Sequence, residues 1–311
     1  GVLRTIDMFQ GSGGTTWVDR DRIPVPQADE QQRLLARLVK MMLTDPVPQL
    51  WYFPDQAKTM LVLTGDAHAN PSSAYTTLIN SVNGYGGNIT IYISIGNAVS
   101  NAFMQAARGQ GHEFGLHPYW NRPDNYPPYN ITNLNEGYTA TKLFWTTAGY
   151  SSTWSRTVRH HQVHWRGWTD AAQTAVNHGL VLDTNFYHWG AWIKKPDNTW
   201  PQGYITGSGQ PMKFMTANGT ILPYYQQLTQ LVDEQYFASA GGAQALSASQ
   251  AIAVSQQLLN ASLNGDYAAI MTQFHVDYYG FGDPQVWAEG TMAYAQNNGI
   301  PIWNADRWLR F

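Results

Sequence analysis

The sequence predicts an α/β fold in which a largely parallel sheet is curled into a β/α barrel. Three observations lead to this prediction. Apolar segments with the length of buried strands alternate with helical patterns along most of the 311 residues, several helical patterns end at a glycine that precedes a strand, and no linker or internal repeat divides the chain. At this length a barrel is favoured over an open sheet, and its active-site residues are expected at the carboxyl ends of the strands.

The predicted elements follow one another in a regular order. The first helix, 29–45, has apolar residues at helical spacing, namely Leu34, Leu35, Leu38, Val39 and Met42. Buried strands are predicted at 59–66 and 88–96, where apolar residues run almost without interruption. Helices followed by strands are then predicted at 98–111 with 112–118, 169–179 with 180–186, 247–263 with 266–276, and 284–299 with 300–305. The polar, glycine-rich stretch 196–220 is expected to be a long loop or a hairpin insertion.

The composition excludes several classes of protein. Because the chain has no cysteine, disulfide scaffolds, thiolate zinc sites, iron–sulfur clusters and cysteine nucleophiles are excluded, and any metal must have nitrogen and oxygen ligands. The net charge of -3 gives no electrostatic surface for nucleic acid, and no apolar run of about 18 residues could span a bilayer. Aromatic residues make up 14% of the chain and charged residues only 13%, which favours an uncharged ligand that stacks on rings, such as a sugar. This composition is compatible with an extracellular or cell-envelope enzyme of a bacterium, and equally with a cytosolic one.

Acidic and imidazole side chains stand where predicted strands give way to loops. Asp66 and His68 follow the strand 59–66 at a spacing of two, which places both side chains on one side of an extended segment. His117 and His275 end two later strands, so we expect the four side chains to converge at one end of the barrel. Neutral imidazoles together with carboxylates are the usual zinc ligands where no thiolate is available, and a catalytic site keeps one position for water.

Four segments of the sequence resemble the motifs of the polysaccharide deacetylases, the NodB-type carbohydrate esterases. LVLTGDAH resembles their first motif, GHEFGLHPYWN their second motif, VRHHQVHWRGW their arginine motif, and the strand that ends at His275 their late motif with a catalytic histidine. The resemblance covers residues 58–311 and implies a distorted β/α barrel with fewer than eight strands. It also implies a divalent metal and the hydrolysis of acetyl groups, N- or O-linked, on a carbohydrate polymer. For the metal we predict one ion, with zinc preferred. Residues 1–57 lie outside the resemblance, and we expect them to form an extension that packs on the barrel.

The resemblance assigns roles to three residues that would carry out the acid–base chemistry. Asp66 matches the base of the family, which would take a proton from a metal-bound water. His275 would protonate the departing amine or alkoxide. Arg159 would orient Asp66 and hold it ionised through its opposite charge.

The expected metal ligands depart from the family pattern. His117 matches the first metal histidine, but the second aspartate of the first motif falls on Ala67 and the second histidine falls on Asn121. We predict that nearby imidazoles replace them, with His68 in place of the aspartate and either His161 or His164 in place of the histidine.

Further residues have two open interpretations each. Trp120, Trp165 and Trp189 either stack on sugar rings or cover the barrel mouth, and Asp183 either contacts substrate or holds an imidazole. His112 is interpreted as structural, because its spacing of five to His117 does not give the helical face of a zincin motif. The adjacent acids Asp233 and Glu234 are interpreted as a solvent-exposed pair rather than as a glycosidase carboxylate.

Two other functions remain open from the sequence. The departures at Ala67 and Asn121 also suit a carbohydrate-binding protein on a degraded deacetylase scaffold. A barrel glycosidase that uses two carboxylates without a metal is the third possibility. Bound metal would separate the deacetylase from the glycosidase, and acetate release would separate it from the binding protein.

Overall fold

The computed structural model describes residues 5–12, 14–118, 131–163, 165, 167–187, 190–280 and 282–311. The strands in these ranges are β1 (Met8–Gln10), β2 (Thr16–Val18), β3 (Met60–Ala67), β4 (Thr90–Ile93), β5 (Glu113–Leu116), β6 (Thr157–Val158), β7 (Leu182–Asp183), β8 (Met212–Met215), β9 (Ile221–Gln226), β10 (Thr229–Val232), β11 (Ala269–Gln273) and β12 (Ile302–Asn304). The α-helices are α1 (Gln27–Met41), α2 (Ser72–Gly84), α3 (Asn101–Gly109), α4 (Ile131–Thr147), α5 (Asp170–Asn177), α6 (Asp233–Tyr236), α7 (Ala248–Ala261), α8 (Asp283–Asn297) and α9 (Ala305–Arg310).

The main sheet has the order β10-β11-β3-β4-β5-β6-β7-β9-β8, and β12 pairs with β3 beside this path. Its pairings are parallel, except that β8 and β9 form an antiparallel hairpin. The sheet curls into a half-barrel with helices packed around it, which confirms the predicted fold class. The expected number of strands was too low. Strands β8, β9 and β10 extend the sheet, and their short, partly polar sequences do not show the continuous apolar pattern of a buried strand.

Strand β3 lies near the centre of the sheet and is buried along its whole length. Its side chains alternate between two apolar layers, as the pleat of a strand requires. Leu61 and Leu63 belong to the large cluster that includes residues of the helices, whereas Met60 and Val62 belong to a second cluster with residues of β11 and α9. Burial on both faces explains why the sequence of this strand is a continuous apolar run.

The N-terminal residues contact the barrel through polar groups. The guanidinium group of Arg20 donates to the carbonyl oxygen of Pro201 at 2.6 Å. The carboxylate of Asp29 accepts from the hydroxyl of Ser208 and from the backbone N–H of Gly209, each at 2.7 Å. The large apolar residues of α1 are exposed, whereas Ile23 and Phe53 of the same N-terminal segment are buried in the apolar clusters. The division of the chain at residue 57 stays a prediction.

Each predicted helix and strand has a counterpart in the described part of the chain. Most of their ends lie within three residues of the expected positions, and strand β7 is the shortest relative to its prediction, with two residues in place of seven. Within the predicted loop 196–220, β8 forms one arm of the hairpin with β9. No helix of the described ranges has both the length and the apolar character that crossing a membrane requires.

Candidate active site

Side chains at the carboxyl ends of β3, β5 and β11 meet at one rim of the sheet. Oδ2 of Asp66 lies 3.9 Å from Nδ1 of His117 and 3.8 Å from Nε2 of His275. The ring centroids of His68 and His117 are 5.2 Å apart. The structure therefore brings together the four side chains that were expected to converge.

A glycine lets two of these strands approach closely. A Cβ atom at Gly65 would lie 2.2 Å from the carbonyl oxygen of Phe274, so no other residue fits at this position without a backbone shift. The close approach is held by backbone hydrogen bonds from Phe274 N to Thr64 O, at 2.8 Å, and from Val276 N to Asp66 O, at 2.9 Å. It places Asp66 and His275 side by side.

Three histidines form a cluster beside Asp66. His68, His117 and His161 each offer one ring nitrogen, and these nitrogens lie within 4.8 Å of one another. The rings meet edge to face, with centroids 4.9 to 5.3 Å apart. These are the histidines predicted as metal ligands. The alternatives His164 and Asn121 lie outside the described residues.

The neighbours of two of these imidazoles fix which nitrogen is available. Nδ1 of His117 lies 2.8 Å from the carbonyl oxygen of Arg159, and Nδ1 of His68 lies 3.0 Å from Oδ2 of Asp277. Both partners act as acceptors, so each Nδ1 carries a proton, and in the neutral form of either ring the lone pair is on Nε2. Among the described residues, Nε2 of His117 is buried without a hydrogen-bond partner, which is the condition of an imidazole that binds a metal ion.

The imidazoles of His117 and His161 are kept neutral by their surroundings. Burial is the largest cause, and repulsion from the nearby His68 adds to it. Together these effects lower the pKa of His117 well below its usual range and lower the pKa of His161 to about 2. Neutral imidazole is the form that binds a metal ion, so His117 and His161 are in a metal-binding protonation state near neutral pH.

Arg159 is fully buried and held by groups on several strands. Its Nη2 donates to the hydroxyls of Thr64, at 2.9 Å, and Thr229, at 2.7 Å, and its Nε donates to the carbonyl oxygen of Thr184 at 3.1 Å. Its Nη1 lies 3.7 Å from Oδ1 of Asp66. The guanidinium group is therefore fixed beside Asp66 as an ion pair without a close hydrogen bond.

The protonation of Asp66 depends on opposing effects. Burial raises its pKa, whereas Arg159, His275 and His68 lower it, in that order of size. Burial outweighs the other effects, so the pKa of Asp66 is raised. Arg159 acts in the expected direction, but by itself it does not hold this carboxylate in its usual range.

His275 has a buried carboxylate partner that the sequence did not reveal. Nδ1 of His275 lies 2.7 Å from Oδ1 of Asp233, and the backbone N–H of His275 donates to Oδ2 at 2.7 Å. The interpretation of Asp233 as part of a solvent-exposed pair is therefore wrong, because Asp233 is only 2% exposed. The sequence did contain an indication of this role, because Asp233 directly follows the short strand β10 and Asp66 lies near the end of β3. Both carboxylate oxygens of Asp233 accept from His275, and Oδ1 also accepts from the backbone N–H of Glu234.

Further neighbours raise the basicity of His275. Burial alone lowers its pKa, but the charges of Asp233, Glu234 and Asp66 outweigh burial and raise the pKa to about 10. Oε1 of Glu234 lies 3.5 Å from Nε2 of His275. His275 is therefore protonated near neutral pH, as a general acid must be.

Gln273 is a second site residue that the sequence did not single out. Its side-chain amide lies 2.8 Å from Oδ2 of Asp66 and 2.9 Å from Nε2 of His275. Because it is two residues before His275 on β11, it faces the same side of the sheet. This spacing could have indicated its position.

Comparison with known proteins gives a match in structure but not in sequence. No protein-family model matches the chain, and no curated protein matches it. A Mycobacterium smegmatis protein assigned as a polysaccharide deacetylase superposes with a TM-score of 0.60 and 13% identity, over 86% of this chain and 94% of that chain. A Pseudomonas aeruginosa PAO1 protein with the same assignment superposes with a TM-score of 0.57 and 12% identity, over 84% of this chain and 92% of that chain.

This chain has the fold of the polysaccharide deacetylases. The resemblance inferred from four short motifs is confirmed at the level of the fold. The aligned regions include nearly all of both solved structures.

On this deacetylase fold, Asp183 lies on the other face of the sheet from the candidate site. Asp183 pairs in register with Val158 of the neighbouring strand, so the two side chains point to the same face of the sheet. The side chain of Val158 belongs to the large apolar cluster that includes residues of the helices, and Asp183 therefore faces the helices. Asp183 is fully buried, and its carboxylate accepts from the side-chain amides of Asn185 and Gln226. The predicted substrate contact does not fit this position. Asp183 instead holds the side chain of Asn185, and Oδ1 of Asn185 in turn accepts a hydrogen bond from the backbone N–H of His160.

The predicted substrate-stacking tryptophans are only partly described. Trp165 stacks on Phe214, with centroids 5.2 Å apart and planes at 22°, and lies nearly parallel to His160 at 6.3 Å. Trp165 also packs against the core, which favours the structural interpretation for this ring. Trp120 and Trp189 lie outside the described residues.

His112 lies at the amino end of β5, at the opposite end of that strand from His117. Its Nδ1 accepts from the backbone N–H of Ile89 at 3.2 Å, and its Nε2 lies 3.0 Å from Oδ1 of Asn83. Burial lowers its pKa to about 4. These contacts use both ring nitrogens, in agreement with the structural interpretation of His112.

Proposed function

We propose that this protein is a metal-dependent deacetylase that hydrolyses N- or O-linked acetyl groups of a carbohydrate polymer. The observation that carries the proposal is the cluster of three imidazoles next to Asp66 and the buried pair of His275 and Asp233. This arrangement combines a metal-binding group, a base and an acid at one rim of a deacetylase fold.

The three histidines fit a divalent ion, and zinc is the preferred candidate. His68, His117 and His161 would hold it through ring nitrogens that lie within 4.8 Å of one another. The orphaned Nε2 of His117 and the acceptors bound to the Nδ1 atoms of His68 and His117 support this assignment. A divalent ion bound there would polarise the acetyl carbonyl and lower the pKa of a bound water.

Asp66 would serve as the general base. Its carboxylate lies beside the cluster, and among the described residues its Oδ1 is buried without a hydrogen-bond partner. This oxygen can accept the proton that the attacking water loses when its oxygen bonds to the acyl carbon. Arg159, 3.7 Å away, stabilises the ionised form of this base.

His275 would serve as the general acid. Asp233 holds its Nδ1–H, so Nε2 is the atom that faces the site, 3.8 Å from Asp66. The Nε2 proton would pass to the nitrogen or oxygen of the sugar as the bond to the acyl carbon breaks, and acetate would be released. The raised pKa of His275, about 10, keeps this proton in place until it is needed.

The experiment that tests the proposal combines elemental analysis with acetate release. The purified protein would be assayed on N-acetylglucosamine oligomers and on O-acetylated xylo-oligosaccharides. We expect a bound divalent metal and acetate from at least one substrate class, and His117→Ala should lose both together. His178→Ala is the matched control, because His178 binds Lys142 and Asn135 away from the cluster and should not affect either readout. Full activity of the wild type in strong chelator would contradict the proposal, as would a metal-loaded protein that releases no acetate.

A further inference from the structure

Helix α1 presents its apolar face to solvent. Its exposed large apolar residues are Leu34, Leu35, Leu38, Val39 and Met41, and the exposed Met42 follows them. In a surface helix that packs on its own protein, such residues face the core. Here the same periodicity builds a surface on the outside of the molecule.

The other face of α1 is the one fixed to the barrel. Arg33 donates to the carbonyl oxygens of Gly265 and Asp266, each at 3.2 Å, and its guanidinium carbon lies 5.1 Å from the centre of the Tyr267 ring. Together with the contacts of Asp29, these interactions hold the first half of the polar face against the barrel, while Arg37 and Lys40 further along the same face are exposed. The outward direction of the apolar face is therefore set by specific contacts.

The segment after α1 continues the apolar surface. Leu50 is 99% exposed, Val47 is 52% exposed and Trp51 is 41% exposed. Leu35, Val39, Leu43 and Val47 line a shared groove of about 390 Å³ between the helix and this segment. Soluble monomers rarely expose contiguous apolar surfaces of this kind, and such surfaces mark sites of interaction with a protein or a membrane.

Positive charge lies next to this apolar surface. Residues 31–44 contain three cations and no acidic residue, whereas Asp29 and Glu30 precede them and Asp45 follows them. The cations are Arg33, Arg37 and Lys40, and with Trp51, Tyr52 and Tyr267 they line a second groove of about 420 Å³. Cations and tryptophan beside a row of leucine and methionine match the chemistry of an anionic bilayer surface. A second copy of this chain would present the same cations, so charge favours the lipid surface as the occupant.

The position of α1 relative to the candidate site is also informative. The backbone N–H of Gly209 donates to the carboxylate of Asp29, and the carbonyl oxygen of Gly209 accepts from the backbone N–H of Ala269, the first residue of β11. Strand β11 then runs to Gln273 in the candidate site, roughly 13 Å further along at the rise of a parallel strand. The surface of α1 therefore lies toward the end of the barrel opposite the site.

We propose that α1 and residues 42–52 bind the surface of a bilayer that contains anionic lipids. The apolar residues enter the boundary between headgroups and acyl chains, and Arg37 and Lys40 contact the lipid phosphates. Bound in this way, the protein holds its candidate active site facing away from the membrane. This proposal does not depend on the deacetylase activity.

Sedimentation with vesicles tests the proposal. The full chain would be mixed with vesicles of phosphatidylcholine alone and with vesicles that also contain phosphatidylglycerol. We expect binding to the mixed vesicles that weakens as salt is added, because exposed charges are screened. The double variant L35D/L38D should bind at least about tenfold more weakly. The control Leu143→Asp, at a leucine on α4 that is 63% exposed, should bind as the wild type does.

A second variant keeps the test decisive if L35D/L38D is poorly folded by circular dichroism. R37E/K40E changes only exposed cations, and it should lose about tenfold or more of its affinity for the mixed vesicles while its affinity for phosphatidylcholine stays low. Failure of the wild type to bind the mixed vesicles would overturn the proposal. A wild-type dimer in light scattering that becomes a monomer in L35D/L38D, without vesicle binding, would assign the surface to a second copy instead.

Discussion

His275 and Asp233 form a buried pair in which one carboxylate holds both the ring and the backbone of its partner. Oδ1 of Asp233 lies 2.7 Å from Nδ1 of His275, and Oδ2 lies 2.7 Å from the backbone nitrogen. The pair therefore fixes the rotamer and the protonated nitrogen of the imidazole, and it leaves Nε2 directed to Asp66. The proposed acid depends on a residue that is 42 positions away in sequence.

The first prediction concerns the charge of Asp233. Asp233→Asn keeps the size of the side chain but removes the largest of the charges that raise the pKa of His275 to about 10. The pKa of His275 should fall, so the high-pH limb of kcat should move to lower pH, and kcat at its optimum should fall by about 10²-fold. Measurement of kcat against pH, with metal content determined alongside, checks this.

Asp277→Asn is the contrasting variant, because Asp277 holds His68. It should weaken metal binding by about 10-fold to 100-fold and leave the high-pH limb in place.

The second prediction separates two roles of Asp66. If it is the base, Asp66→Asn should lower turnover by about 10²-fold to 10⁴-fold, remove the low-pH limb of the profile and leave the metal content near that of the wild type. The limb is lost because the wild-type carboxylate must be ionised to accept a proton, and activity therefore falls as the pH drops through its pKa. Elemental analysis and a pH–rate profile of the variant decide between the roles. A metal-free Asp66→Asn protein would make Asp66 a ligand rather than the base.

Much of the rim of this sheet could be predicted, because its residues follow strands that are long and apolar. Strand β3 is buried on both faces, so its apolar run was visible and its end located Asp66 and His68. The end of β11 located His275 in the same way. By contrast, β10 has four residues, two of them polar, and its end at Asp233 did not stand out. The sequence also could not show that Asp233 and His275 meet, because that contact depends on the pairing of β10 with β11.

The local sequence pattern could not predict which side of the sheet Asp183 faces or which way the apolar face of α1 points. Asp183 ends a strand as Asp66 does, but β7 has only two residues, too few to reveal by alternation which side of the sheet each side chain faces. For α1, the apolar periodicity predicted a helix with one apolar face, and the helix is present. Periodicity does not say what that face contacts, and here the contacts of Arg33 and Asp29 turn it outward.

The third prediction concerns the stability contributed by His112. Its folded pKa, about 4, lies below the value near 6.5 expected for the unfolded chain, so the unfolded state binds a proton first as the pH falls. The contribution is therefore present above about pH 6.5 and is lost as the pH drops toward 4. We expect His112→Gln to reduce the acid-dependent loss of unfolding free energy by up to about 3 kcal/mol. Urea unfolding at pH 7 and pH 4.5 measures this, and an unchanged difference between wild type and variant at the two pH values would contradict it. Acetate release at neutral pH should persist in the variant if His112 is structural.

The fourth prediction concerns Asp183, for which the sequence left a substrate contact open. Burial raises its pKa to about 7, and the amides of Asn185 and Gln226 offset only part of that effect. A raised carboxyl pKa means that the folded state retains the proton longer than the unfolded chain, whose carboxyl ionises near pH 4. The stabilising contribution is thus fully present below about pH 4 and is lost as the pH rises to about 7, above which the folded protein carries a buried charge.

Asp183→Asn cannot ionise, so it should match the wild type at pH 4 and exceed its unfolding free energy at pH 8 by up to about 4 kcal/mol. Chemical unfolding at the two pH values checks the sign, and KM for an acetylated oligosaccharide checks the position. A large rise in KM with no gain in stability at pH 8 would place Asp183 in contact with substrate. An unchanged KM with the predicted gain in stability would place Asp183 on the face away from the site, where it holds Asn185 and, through Asn185, the backbone of His160.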